Sequence, residues 1–302
     1  MVAPAPSPLV SVVIPAYRAA AYLGAALDSV AAQTWSQWEV LVFEDGAYDD
    51  TPALVAAFAA RTANRVELVR SPANLGVSRA RNALLALARG THIAFLDADD
   101  TWEPDHLAHA LELLAGADAD WFIGGANHID RQGRCVRRDL IPAPLPPPAI
   151  PTALLGHNFV LTGAVVVRAE PFARGLRFDP ALTIGEDLDL WLALVAAGCR
   201  PVFSPRATFN YRKHPVSTTA DPVRFPEAFS AVFEKHLANP LVDRRVCRRL
   251  LRGMLLDVAR MTWRREPRRA LAALQRLFRT GRFVPRAWIL WLLARARTGR
   301  SA

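Results

Sequence analysis

Along the first hundred residues, short apolar runs alternate with stretches whose apolar positions recur at helical spacing. Residues 10–14 form a nearly continuous β-branched run closed by Pro15, the pattern of a strand buried on both faces. Leu23, Ala26, Leu27 and Val30 then share one face of a helix reaching Gln33. Further strands are expected over 38–43, ending in Glu44-Asp45-Gly46, and over 65–69. Between them, Thr51-Pro52 supplies a cap and first turn for a helix carrying Leu54, Val55 and Phe58. Residues 77–89 read as a helix stopped by Gly90, and 91–96 as a strand leading into Asp97. This alternation predicts an α/β fold with a mostly parallel sheet, in which ligands bind beyond the carboxyl ends of the strands. Pro15-Ala16-Tyr17, Glu44-Asp45-Gly46 and Asp97-Ala98-Asp99-Asp100 all sit at those ends.

Past residue 101 the alternation loosens. A helix is expected over 103–115, a strand over 121–125 and a turn over 130–134. Residues 139–152 hold six prolines without helical period and read as a loop. A strand follows over 164–167, then an amphipathic helix over 187–197 stopped by Gly198, then short strands over 202–203 and 207–212. From Pro226 onward the chain reads as helical. The resulting division is 1–100, 101–225 and a basic helical extension, 226–302.

At 302 residues and 52% hydrophobic, the chain is large enough for two subdomains and excludes wholesale disorder. No signal peptide is expected at the Ala/Pro-rich start, and no run reaches the roughly 18–20 apolar residues of a membrane span. Cys135, Cys199 and Cys247 lie far apart without CxxC spacing, which fits a reduced, cytoplasmic compartment. Charge is unevenly spread. Residues 244–300 carry 17 Arg, no Lys and two acids, giving +15; the whole chain is +9, so the remainder carries −6. Such asymmetry points to an anionic partner for the tail.

The densest chemistry is at residues 97–100, where a strand runs into three carboxylates within four positions. Clustered carboxylates are costly without compensation, and a hard divalent cation with oxygen ligands supplies it. Mg²⁺ or Mn²⁺ held in this way completes its shell with substrate phosphates. An ordinary solvated turn is the alternative at this stage.

In this order and spacing the motifs resemble the family 2 glycosyltransferases, the nucleotide-sugar-dependent type with a GT-A fold. The series comprises Val10 to Tyr17, Leu27 to Thr34, Glu44-Asp45-Gly46, Asn74 to Asn82, Leu96 to Asp100, Gly185 to Trp191 and Tyr211-Arg212-Lys213-His214. Together they cover roughly residues 9–219. The resemblance implies that Pro15, Tyr17 and Asp45 belong to the nucleotide pocket, with Asp45 accepting from the base. It implies that Asp97 faces the ribose, Arg81 reaches the diphosphate, and Asp99 ligates Mn²⁺ or Mg²⁺ with His214 as a further ligand. Asp187 is implied as the base that takes the acceptor hydroxyl proton in an inverting transfer, with Glu186 orienting hydroxyls. A plain helix cap remains the alternative for Asp187, an ordinary core tyrosine for Tyr17 and a solvated charge for Arg79.

Departures from the family pattern qualify this reading. Ala47 stands where the family commonly has Ser, removing a hydroxyl cap. The Gln/Arg-x-x-Arg-Trp signature of processive synthases is absent after Asp187, which argues for one sugar per encounter. The expected partners are a nucleotide-sugar donor, UDP-linked by the resemblance, and a polysaccharide, lipid-linked or cell-surface glycan acceptor. Residues 244–300, with Trp288 to Leu293 flanked by Arg286 and Arg295, suit contact with anionic lipid at the inner face of the cell membrane. Packing of this stripe on the catalytic body is the alternative, and nucleic acid is not expected. A metal-dependent nucleotidyltransferase and a catalytically silent membrane-peripheral module are the rival functions.

Overall fold

The computed structural model describes residues 9–139, 145–213, 221–281 and 285–298. It divides into two units between which the chain passes more than once, one boundary falling inside a helix, between Asp189 and Leu190.

The first unit begins with strictly alternating strands and helices. These are β1 (Val10–Ala16), α1 (Ala20–Ala31), β2 (Trp38–Asp45), α2 (Thr51–Ala59), β3 (Val66–Ser71), α3 (Val77–Leu85) and β4 (His92–Phe95). β1 lies between β2 and β4, and β3 flanks β2, all parallel. The three central strands are buried along almost their whole length, which is why their sequences lack a polar alternation. Leu23, Ala26, Leu27 and Val30 of α1 bury against them. α3 ends at Leu85, short of the expected stop at Gly90. Gly90 serves another purpose: a Cβ there would lie 2.7 Å from the Leu9 carbonyl oxygen and from Ser11. The glycine permits close approach to β1, and its amide donates to Ser11 Oγ at 2.8 Å.

β5 (Thr101–Trp102), α4 (His106–Gly116), β6 (Trp121–Ile129), β7 (Cys135–Asp139), β8 (Val165–Arg168), α6 (Glu170–Ala173) and β9 (Pro201–Arg212) complete this unit; α5 and α7 are introduced below. Among the described residues the sheet has nine strands in the order β3-β2-β1-β4-β8-β6-β9-β5, with β7 paired to β6. β8 joins antiparallel to both β4 and β6, so the second half of the sheet is mixed. β9 is one strand where the sequence suggested two, because a bulge opposite Gly124 and Gly125 absorbs the polar Ser204 to Arg206 stretch. A Cβ on Gly125 would sit 2.9 Å from the Pro205 carbonyl oxygen.

The second unit gathers residues 148–158, 181–189 and the C-terminal segment from 215. It contains α5 (Ile150–Gly156), the first residues of α7 (Glu186–Ala196), α8 (Arg224–His236), α9 (Arg244–Thr262), α10 (Pro267–Arg279) and α11 (Pro285–Thr298). α9 packs against α5, α8, α10 and α11, burying Cys247, Leu251, Leu255 and Val258. Most of the apolar stripe read from the sequence is therefore the core of a helical unit. α11 differs, because Trp288, Ile289, Leu292 and Leu293 remain exposed. Among the described residues no helix is long and apolar enough to cross a membrane.

Candidate active site

The carboxyl ends of β1, β2 and β4 bring the predicted nucleotide-binding residues to one edge of the first unit. At the end of β2 the Asp45 carboxylate is 3% exposed and accepts from the backbone amides of Leu75 (2.6 Å) and Gly76 (2.9 Å). Asp45 thus fixes the loop that opens α3. Gly46, at φ +70°, follows immediately, and a Cβ there would stand 2.5 Å from the Ala73 carbonyl carbon. Only glycine fits this approach.

Glu44 compensates for the missing hydroxyl at Ala47. Its buried Oε1 accepts from the amides of Ala47 (2.8 Å) and Tyr48 (3.1 Å), while Oε2 accepts from Arg70 Nε (3.0 Å). Burial pushes the Glu44 carboxyl up, but Arg70 and the two amides outweigh it and hold it below the usual carboxylate range. The turn is therefore closed from the strand side rather than from position 47.

The aspartate turn after β4 is held from two directions. Arg81 of α3, 2% exposed, donates from Nη2 to Asp97 Oδ1 at 2.7 Å, and its guanidinium lies 5.1 Å from the Phe178 ring centroid. Asn82 pins the same segment, exchanging hydrogen bonds with the Phe178 carbonyl (2.8 Å) and amide (3.0 Å). From β9, Arg212 donates from Nε to the Asp99 carbonyl oxygen at 2.7 Å, and its amide donates to Asp100 Oδ1 at 2.7 Å. Burial raises the Asp100 carboxyl well above its ordinary pKa, and the Asp99 and Asp97 carboxylates add to the rise. Asp97 and Asp99 themselves are half-buried.

Pro15 is half-buried within β1, whereas Tyr17, just past the strand, is 43% exposed with the Arg18 guanidinium 5.1 Å from its ring centroid. Tyr17 is therefore not a core residue, and an exposed ring beside Asp45's strand is free to pack against a flat ligand.

In the second unit, Glu186 and Asp187 are half-buried in the first turn of α7. Asn158 donates from Nδ2 to Asp187 Oδ2 at 2.9 Å, and the Leu188 amide donates to Asp187 Oδ1 at 2.7 Å. Asp189, two residues on, is buried and holds Lys235 Nζ at 2.8 Å and His236 Nε2 at 2.9 Å. Gly185, at φ +82°, is hemmed by Phe229 and Val232 of α8, where a Cβ would stand 2.8 and 2.9 Å from their side chains. His214 lies outside the described residues.

Among the described residues no three His, Cys, Asp or Glu side chains form a ready-made metal cage. The donor set fits a different arrangement, in which one or two carboxylates hold a hard cation whose remaining ligands are phosphate oxygens. Asp97 and Asp99, half-buried at this turn, supply carboxylate oxygens of that kind.

Glu44, Asn158 and Arg212 carry structural duties that the sequence reading did not assign. A cation inside a mostly apolar strand end was a usable signal for Arg212. Asn158 had no comparable signal, because its partner lies 29 residues away.

Comparison with known proteins bears on family and fold. The succinoglycan biosynthesis protein ExoO of Rhizobium meliloti is 35% identical over 213 residues, covering 68% of this chain and 60% of that protein. The Escherichia coli UDP-Glc:alpha-D-GlcNAc-diphosphoundecaprenol beta-1,3-glucosyltransferase WfgD is 34% identical over 116 residues, 38% of this chain and 45% of that one. The chain thus spans less than two thirds of the length of both relatives. In fold it is similar to S. aureus TarS 1–349 in complex with UDP, at a TM-score of 0.67 and 20% identity over 95% of this chain and 87% of that one. Residues 11–165 match the family described as Glycosyl transferase family 2, and with half its length inside that match the chain belongs to this family.

Proposed function

We propose that the protein is an inverting, metal-dependent glycosyltransferase that moves one sugar from a UDP-linked donor to a hydroxyl of a polysaccharide, lipid-linked or cell-surface glycan precursor. The observation that carries this reading is the aspartate turn at the end of β4, held by Arg81 and Arg212 at the edge where α/β folds bind nucleotides. Family membership favours sugar transfer over nucleotidyl transfer. A WfgD-like donor and lipid-diphosphate acceptor, and a TarS-like UDP complex, support the donor class.

In this reading Tyr17 packs on the base, while Asp45 orders the Asn74-Leu75-Gly76 loop around the nucleotide and faces it with its remaining lone pairs. Asp97, steadied by Arg81, accepts from the ribose hydroxyls. Arg81 offsets negative charge at the diphosphate. Asp99, with His214, would hold Mn²⁺ or Mg²⁺, which when bound neutralises the charge that develops on the departing nucleotide. Asp187 takes the acceptor proton, its carboxylate aimed by Asn158, and Glu186 orients hydroxyls. The exposed apolar face of α11, flanked by Arg286 and Arg295, rests on anionic lipid at the inner face of the cytoplasmic membrane and keeps the enzyme near a membrane-borne acceptor.

A thermal-shift series with UDP-, GDP- and dTDP-sugars, each with and without Mn²⁺, tests the donor assignment. Stabilisation by a UDP-sugar only in the presence of metal, lost in Asp99→Asn, is the expected result. Stabilisation by GDP-sugars alone overturns the choice of nucleotide.

A further inference from the structure

A concavity lies wholly within the helical unit, among α8, α9 and α10. Arg244 and Arg248 of α9 and Arg276 and Arg279 of α10 line a cavity of about 480 Å³, within the size range of small-molecule sites. One acid lines it, Glu234, and that carboxylate is already bound by Arg276 Nε and Nη2, both at 2.9 Å. Among the described residues Arg244, Arg248 and Arg279 form no ion pair. Three guanidinium charges therefore surround one hollow without an anion of the protein's own.

Ordinary helix electrostatics do not account for this placement. Arg276 and Arg279 stand in the last turn of α10, where a cation is favoured, but Arg244 opens α9, where the dipole disfavours one. Asp243, the cap of α9, spends its carboxylate on the amides of Arg245 (2.7 Å) and Val246 (3.2 Å). Arg244 and Arg248 are also one turn apart on the same helix, a spacing at which like charges repel. The Thr280 hydroxyl beside them accepts from Arg252 Nε (2.7 Å) and donates to the Leu277 carbonyl oxygen (2.7 Å), so the free donors of the hollow are arginine N–H groups. Guanidinium forks from two facing helices match the bidentate geometry of phosphate oxygens. The concave shape favours a discrete group over a flat surface.

The geometry points to a binding site for a phosphate-bearing anion of two or more charges, held by Arg244, Arg248 and Arg279 and separate from the sugar-donor site. The ligand is a soluble polyphosphate or the phosphomonoester headgroup of a lipid; the recognised chemistry is the same. This inference stands independently of the transfer reaction, since it uses no residue of the aspartate turn.

Calorimetric titration of the full chain with inorganic pyrophosphate at low salt and in EDTA tests it. Wild type is expected to bind with a saturable, single-site isotherm. The triple variant R244Q/R248Q/R279Q should bind about tenfold or more weakly, and the single variant R279Q should weaken it in the same direction. R249Q/R265Q/R268Q, which removes equal charge away from the cavity, should stay within about twofold of wild type. Flotation with phosphatidylcholine vesicles bearing phosphatidic acid separates the sources. Vesicle binding displaced by pyrophosphate identifies a headgroup, and pyrophosphate binding without flotation identifies a soluble anion; both uphold the site. Equal weakening in the two triple variants, or no saturation in wild type, overturns it.

Discussion

Arg212 Nε lies 2.7 Å from the carbonyl oxygen of Asp99, so the last residue of β9 fixes the backbone of the turn that presents the Asp99 carboxylate. The same guanidinium donates to the carbonyls of Asp130 (3.0 Å) and Arg131 (3.1 Å) and lies 4.9 Å from the Tyr22 ring centroid. Arg212→Ala leaves these carbonyls without their buried donor, a change expected to cost about 2–4 kcal/mol. Lysine keeps the charge but loses the planar fork, so Arg212→Lys should recover only part of that loss. Urea denaturation measures both. A wild-type midpoint in Arg212→Ala would show that the turn is held by other means.

Gly46 and Gly76 separate steric exclusion from backbone strain. Both have positive φ, +70° and +89°, yet a Cβ at Gly46 meets Ala73 backbone at 2.5 Å while at Gly76 nothing lies within 4 Å. Gly76, at φ +89° and ψ 155°, occupies a region essentially confined to glycine, so Gly76→Ala is expected to cost about 1–3 kcal/mol from backbone strain alone. Gly46→Ala must in addition displace backbone, and the larger loss should come with weaker donor binding because Asp45 orders the same loop. Melting temperatures and UDP titration of the two variants, compared side by side, check the ranking.

Acid stability should carry a histidine signature. Burial, with a smaller push from Arg168, lowers His92 from its ordinary 6.5 to about 4, and burial, with His109, lowers His106 to about 3. Both are neutral in the folded protein and protonate first in the unfolded chain. Their stabilisation is present in full above pH 6.5 and is lost as pH falls through that value toward 4 and 3. Each contributes a slope of up to about 1.4 kcal/mol per pH unit across its window. His92→Gln should flatten the fall between pH 6.5 and about 4, read from urea midpoints at stepped pH; an unchanged slope contradicts the buried neutral assignment.

The alternation of β1 to β4 with α1 to α3 was legible because buried parallel strands write themselves as unbroken apolar runs. The polar clusters at their ends stood out for the complementary reason, since each needs partners: Glu44 meets Arg70, Asp45 the Leu75 and Gly76 amides, and Asp97 Arg81. Less was visible beyond β5. The antiparallel insertion of β8 between β4 and β6 depends on pairings far apart in sequence, and β9 was broken in two by the polar residues of its own bulge. Gly90 looked like a helix stop because its contact with β1 is tertiary. The C-terminal stripe was ambiguous for a physical reason: one apolar helix face suits a bilayer and a helical neighbour equally well. Packing resolves α9 into core and leaves α11 with the uncovered face.

That uncovered face makes a specific prediction. Trp288, Ile289, Leu292 and Leu293 lie on one side of α11, whereas Leu251 and Leu255 of α9 are buried. Replacing Ile289, Leu292 and Leu293 by Ser should leave the melting temperature near wild type and abolish flotation with anionic vesicles. Leu255→Ala should instead lower stability by about 2–5 kcal/mol through the cavity it creates. Undiminished flotation in the α11 variant would assign membrane contact elsewhere.

Asp187 and Asp189 stand two residues apart in the first turn of α7, yet their surroundings predict opposite phenotypes. Asp189 is buried between Lys235 and His236, so Asp189→Asn removes a charge that both partners face and should destabilise the second unit by roughly 3 kcal/mol. Asp187 is half-buried, its carboxylate accepts from the Asn158 side-chain amide and the Leu188 N–H, and asparagine preserves its shape. Asp187→Asn should therefore melt close to wild type, bind the UDP-sugar with unchanged affinity, and lose about 10²–10⁴-fold in kcat, the usual range for a missing general base. Asn158→Ala, which leaves the carboxylate but removes its guide, should fall between the two in kcat and shift the acid limb of the pH–rate profile. Steady-state kinetics together with nucleotide titration separate these outcomes, and a kcat for Asp187→Asn within a few-fold of wild type assigns the proton to another acceptor.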